Sequence, residues 1–265
     1  MLVKRFLIPT LLLALACSSS SREGGAGSIS ADSGRGGAVD AGMTDDALIV
    51  PEGLTVTALA GGNGVLDVIA LTLRRGTSGT EVYAALRNDG DIPACDAAVA
   101  VELFDRSEQS LAAGIGGLLT QHFYRLTDGS DTIAACVGPG DMTMAAVTGL
   151  RSDIEIEEVG HVVYRCPYFA LDVVPVDGLT VDQLERVTTS AGTAYTGTLV
   201  NGFDVAVDSP SVSVFPVNRV GRPLGAATSS SNVEVPPGGT WAFETNSIGA
   251  RGVDYAAYPA GALAR

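Results

Sequence analysis

The sequence predicts an all-β protein, built as two tandem β-sandwiches behind an export signal and a disordered linker. Three observations carry that reading. From Leu48 onward, Val, Ala and Leu recur at every second position in short runs, and no helical period is sustained. The runs are separated by Gly, Asp, Asn and Pro, which supply turn conformations. Finally, the order of the runs recurs: residues 82–101 lie over 195–214 without a gap, at a constant offset of 113.

Residues 1–16 come first. Lys4 and Arg5 precede an uncharged run from Phe6 to Ala16, too short to span a bilayer core of ~30 Å but of secretory length. The run ends on Ala14-Leu15-Ala16-Cys17, which resembles the lipobox of bacterial lipoproteins. That resemblance implies cleavage before Cys17, acylation of Cys17 and attachment to the membrane through its lipid. With Ser18 rather than aspartate next, it implies the outer membrane, facing the periplasm or the outside. Ala14-x-Ala16 also fits an ordinary small-residue cleavage site, which would release a soluble chain. Residues 17–47 are Ser, Gly, Ala and Asp with almost no large apolar side chain. Such a segment cannot bury enough surface to offset the entropy of ordering, and about thirty residues of it span ~30 Å.

Residues 48–164 are expected to form the first sandwich and 165–265 the second. In the first, residues 81–88 place Val82, Ala84 and Leu86 on one side, and 97–103 place Ala97, Val99, Val101 and Leu103 likewise. Asn88-Asp89-Gly90-Asp91 between them has turn chemistry. The offset of 113 sets Leu86 on Leu199, Asn88 on Asn201, Asp91 on Asp204, and Val99 and Val101 on Val212 and Val214. Upstream, Leu66-Asp67-Val68 is matched with Leu171-Asp172-Val173. Downstream, residues 139–144 are matched with 238–243, so that Met142 and Met144 stand for Trp241 and Phe243, and Cys136 for Val235.

Leu86-x-Asn88-x-Gly90-Asp91, Val101-x-Leu103-Phe104-Asp105 and Gly138-Pro139-Gly140-Asp141 together resemble the FxLYD-type domain of prokaryotic envelope proteins. The second half is a divergent copy that keeps Asn201, Val212 and Val214 but reads Val214-Phe215-Pro216 where that family has its aromatic and aspartate. The resemblance implies immunoglobulin-like sandwiches with no catalytic residue to carry over. Units of about 100 residues with short strands suit the same class.

The formal charge is −14, and the single lysine, Lys4, lies in the signal. Nucleic acid is excluded as a partner because phosphate binding needs a basic patch. Electrostatic docking to anionic lipid is disfavoured for the same reason. In an exported setting, Cys95 and Cys136, both in the first unit beside strands, are expected to pair as a disulfide. Cys166 is expected as a buried thiol, with a bond to a partner chain as the alternative.

Only His122 and His161 are histidines, and neither sits in a catalytic or metal-ligand pattern. No cofactor, metal or enzyme activity is expected. The acidic turns 88–91 and 128–131 offer oxygens of the kind calcium takes, but read as solvated turns. The candidate binding loop lies in 114–131, with His122, Phe123, Tyr124 and Arg125, since loops at a sandwich end carry recognition. Leu118, Leu119 and Phe123 in the same stretch also read as a cap on the core. The functional expectation is a lipid-anchored, non-catalytic binding or structural module for a protein or an envelope polymer. The alternatives are an envelope enzyme or small-ligand receptor, and an accessory subunit of a secretion or adhesion assembly.

Overall fold

The computed structural model describes residues 54–59, 64–76, 79–119, 122–130, 132–250 and 252–263; the signal, Cys17 and the linker lie outside them. The described chain is all-β, with one 3-10 turn at Ile156–Glu158 as its only helical element. The strands of the first block open with β1 (Thr55–Ala58), β2 (Leu66–Gly76), β3 (Gly79–Asn88), β4 (Ala94–Cys95) and β5 (Ala98–Asp105). They continue with β6 (Ser110–Leu119), β7 (His122–Leu126), β8 (Ile133–Val137), β9 (Met142–Leu150) and β10 (Val159–Arg165). Two short strands, β11 (Phe169–Ala170) and β12 (Val173–Val176), lead to the second block. That block holds β13 (Leu179–Thr189), β14 (Gly192–Asn201), β15 (Val207–Val217), β16 (Ala227–Ser230), β17 (Thr240–Glu244) and β18 (Asp254–Leu263).

Seven strands of the first block, in the order β1-β10-β5-β6-β9-β3-β2, wrap into a nearly closed barrel. The wrap turns on β6. Its residues 110–117 pair with β5, and Leu118 and Leu119 then pair with Ala145 and Met144 of β9. Glycine makes the corner possible, since a Cβ at Gly116 would lie 2.2 Å from the Ala146 carbonyl oxygen. Inside sit Leu66, Leu73, Val82, Leu86, Val99, Val101, Leu103 and Val162, all essentially without solvent exposure. The alternation read along 81–88 and 97–103 is therefore the core face.

The second block is a two-sheet sandwich, β13-β14-β17 against β16-β15-β18. Tyr195, Leu199, Val212, Val214 and Phe243 fill it. The offset of 113 extends further than the sequence suggested: β2 and β3 become β13 and β14 residue for residue, with Leu66 facing Asn88 as Leu179 faces Asn201. Both first strands also bulge, between Val68 and Ala70 and, at least one residue further along by that offset, between Asp182 and Glu185.

Two of the expected matches are corrected. The counterpart of Leu66 is Leu179, not Leu171, which lies between β11 and β12. Downstream the true offset is one residue shorter. Leu86 pairs with Thr143, and Leu199 with Trp241, so Thr143 and Ala145 stand for Trp241 and Phe243, while Met142 and Met144 stand for Thr240 and Ala242. The register is set by the main chain: the Gly140 N–H donates to the Asn88 carbonyl, and the Gly238 N–H to that of Asn201, at 2.8 and 2.9 Å. Gly238-Gly239 offers two glycines for that one turn, and choosing the wrong one swaps both faces of the strand. Val137, not Cys136, is then the counterpart of Val235.

A five-stranded sheet, β11-β4-β8-β7-β12, joins the blocks. Strands β11 and β12 follow residue 164 yet pair with β4 and β7, and the second block's own strands start at Leu179. The blocks also meet face to face. Tyr83, Ala85 and Met144 on the outside of the first barrel pack against Phe215 and Tyr258, and Ala70, Ala146, Ala226 and Ala256 let the sheets approach. Tyr83 and Phe215 meet edge to face at 6.3 Å, as do Phe215 and Tyr258 at 5.8 Å.

Candidate binding cleft between the blocks

The four residues singled out in 114–131 fall on strand β7, where Phe123 and Tyr124 are buried and His122 and Arg125 half-buried. Phe123 enters the second block's core and meets Phe203 edge to face at 4.6 Å. Gly178 is needed opposite it, because a Cβ there would lie 1.7 Å from the Phe123 ring. On the other face Tyr124 packs on the Cys95–Cys136 disulfide. Burial, and then the nearby Asp141 carboxylate, raise the Tyr124 phenol above its ordinary pKa. His122 Nε2 lies 3.1 Å from Asp141 Oδ2 at the rim. Arg125 borders a recess of about 170 Å³ with Asp177 and Asp204. Of these four residues, Phe123 ties the two blocks together, while His122 and Tyr124 meet partners in the first block and its linking sheet.

The other sequence candidates also resolve into local structure. Asn88 is fully buried: its amide nitrogen donates to the carbonyls of Ile92 and Val137, both at 2.8 Å, and its Oδ1 accepts from Gly90 N–H at 2.9 Å. Asn201 repeats this with Val205, Val235 and Phe203, each at 2.9 Å. In the acidic turns, Arg87 holds the Asp89 carboxyl below its ordinary range, and the Ser130 hydroxyl and N–H do the same for Asp128. Among the described residues no three His, Cys, Asp or Glu side chains are grouped to hold a metal ion. Cys166 is buried, and burial pushes its thiol up to about 12, with Asp67 adding to the effect; such a thiol is unreactive.

The site that sequence reasoning missed lies where the ends of β2 and β3 face the segment 246–249 across the seam. A cavity of about 360 Å³ opens there, in the size range of small-molecule sites. Its first wall carries Arg74, Arg75, Glu81 and Tyr83; its second carries Asn246, Ser247, Ile248 and Gly249. Alternation along β2 buries Leu71 and Leu73 in the barrel, so Arg74 projects from the opposite face, toward the second block. Gly225 makes room for it, because a Cβ there would lie 2.8 Å from Arg74 Nη1.

Both walls are braced before any ligand arrives. Ile248 and Thr193 exchange two main-chain hydrogen bonds at 2.8 Å, and Asn246 N–H donates to the Thr228 carbonyl at 2.9 Å. The Thr228 N–H donates to Asn246 Oδ1 at 2.6 Å. On the first wall the Tyr83 hydroxyl donates to Glu81 Oε2 at 2.6 Å, and Arg75 is paired with Glu155 at 2.7 Å. Burial, with the hydrogen bond to Glu81, pushes the Tyr83 phenol well above its ordinary pKa, so it stays a neutral donor. Arg74 differs from these. Its Nε is buried with no hydrogen-bond partner among the described residues, and so is the hydroxyl of Thr72 two residues back on the same face. Leaving a buried donor unpaired costs about 1–3 kcal/mol, and native proteins retain few such groups without cause. The sequence signal was the pair Arg74-Arg75 closing an apolar strand in an acidic chain; the opposite wall reads as an ordinary polar loop.

No protein-family model matches the chain, and no curated protein matches it in sequence.

Proposed function

We propose that this protein is a lipid-anchored component of the bacterial outer membrane, held through acylated Cys17, that acts as a non-catalytic binding module. The observation that carries the reading is the cleft at a braced seam: two blocks share apolar contacts and a five-stranded sheet, and where they part they leave a concave, polar-lined opening. The lipobox-like Ala14-Leu15-Ala16-Cys17 supports the anchor, and the Cys95–Cys136 disulfide suits an oxidising envelope compartment. The FxLYD-like motifs support an envelope role and an immunoglobulin-like ancestry for both blocks. In this reading the linker 17–47 holds the body off the membrane, facing the periplasm or the outside, where a protein or an envelope polymer reaches it.

The same cleft favours a second reading as a small-ligand receptor, in which the ligand is a diffusing molecule rather than a polymer. A further reading is an accessory subunit of a secretion or adhesion assembly with its interface on 114–131, where Phe123 and Tyr124 are buried but Ile115 is exposed. The anchor is tested by intact mass of the mature N-terminus with and without globomycin. Acylated Cys17 and accumulation of the uncut form under the drug are expected; an unmodified Cys17 overturns the anchor.

A further inference from the structure

We infer that the cleft between the blocks binds a sugar acid, with the Arg74 guanidinium receiving its carboxylate. This deepens the binding-module reading and rests on it. Arg74 lines the cavity with its Nε buried and unpaired among the described residues, so its two Nη atoms are the part of the guanidinium that a carboxylate would meet with two parallel hydrogen bonds. Charge sets the ligand's valence: Arg75 is already paired with Glu155, which leaves the Arg74 guanidinium to meet one negative charge. A doubly charged phosphate group would leave one charge unmatched against that single guanidinium, so a carboxylate, which carries one, is favoured in the site. The remaining lining suits hydroxyl groups and a C–H face. Ser247 and Asn246 offer short polar side chains, Gly249 its backbone, and Tyr83 and Ile248 apolar surface. The volume of about 360 Å³ accommodates one or two sugar rings.

The ligand can come free or as a unit of an acidic polysaccharide, and the assay separates the two. The protein is purified from the envelope in detergent and titrated calorimetrically with galacturonate, tri-galacturonate and galactose. Galacturonate binding at least tenfold tighter than galactose supports the inference, with monomer and trimer equal for a free ligand and the trimer tighter for a polymer. Arg74→Gln is expected to weaken galacturonate at least tenfold, and Arg75→Gln, whose partner is Glu155, less than threefold. Gly249→Trp provides an independent block, since Gly249 lines the cavity and a Cβ there meets nothing within 4 Å. Equal affinity for galacturonate and galactose, no binding of any of the three, or undiminished binding in folded Gly249→Trp protein overturns the inference. None of these results touches the mass of the N-terminus, so the anchor stands or falls separately.

Discussion

The two blocks start from the same corner and close in different ways. Each buries an asparagine, Asn88 or Asn201, whose side chain ties the end of one strand to a later loop. The first block then wraps seven strands around its own core and adds a disulfide. The second has six strands in two small sheets, and its core is completed by Phe123 and Ile133, which belong to β7 and β8 of the first block's linking sheet. The first block's barrel core is filled by its own residues, whereas the second block's core takes two side chains from its neighbour. The shared register of β2–β3 and β13–β14 gives both blocks one starting template, and the two side chains borrowed from the linking sheet set the second apart.

The largest effect should come from the corner itself. Asn201→Ala leaves the Val205 carbonyl and the buried Phe203 N–H without their partner, and takes one of two hydrogen bonds from the carbonyls of Val235 and Pro236, which keep the N–H groups of Val207 and Gly239. A loss on the order of 4 kcal/mol in urea unfolding is expected. Asn88→Ala should lose about 1 kcal/mol less, because the Val137 carbonyl it holds follows Cys136, which the disulfide already restrains. Equal losses would mean that the two corners work alike and that the cross-link does not buffer the first.

Next in size is Phe123→Ala. The residue lies in β7, yet its ring sits in the second block's core, so the expected cost of about 3–4 kcal/mol falls there. Trp241, the single tryptophan, packs against that core and reports it by fluorescence. A Trp241 transition that does not move would break the dependence argued above. The disulfide offers a milder version of the same test. It closes a 41-residue separation, for which chain entropy alone gives roughly 4 kcal/mol, and observed effects run about 2–4 kcal/mol. Replacing both cysteines by alanine should shift the Trp241 midpoint by about 2–3 kcal/mol although no cysteine lies in the second block, because β8 carries both Cys136 and Ile133.

Much of this was legible in the sequence, and the misses have common physical causes. Alternation along 81–88 and 97–103 identified the core face, because strand period is written in side-chain chemistry. The other face of β3, with Tyr83 and Ala85, is buried too, but only because a second block covers it, and no local pattern announces that. The one-residue slip at β9 arose because its register is held by the main-chain bonds of Gly140 and Gly238, which leave no side-chain signature. His122 to Arg125 have the composition of an interface, but Phe123 is spent inside the second block's core and Tyr124 on the disulfide, which no local pattern announces. The cleft needed Arg74 and Ser247 brought together across the seam. Neither residue implies the other.

The finest test of the comparison is alkaline. Cys166 belongs to the first core and is raised by burial from its ordinary value of 9.0 to about 12; Tyr195 belongs to the second and is raised by burial from 10.0 to about 12. Both are neutral in the fold, so the stability they contribute is complete below the unfolded pKa and is lost as pH rises through the folded one. The first block should therefore begin to weaken near pH 9 and the second near pH 10. Cys166→Ala should flatten the earlier part of the decline and Tyr195→Phe the later part. Tyr195→Phe should also cost less than about 1 kcal/mol at neutral pH, since the hydroxyl it removes is buried without a hydrogen-bond partner among the described residues. If the second block truly leans on the first, Trp241 fluorescence in the wild-type protein will begin to respond at the earlier, cysteine-linked step. A Trp241 signal that waits for the tyrosine step would show the second core standing alone.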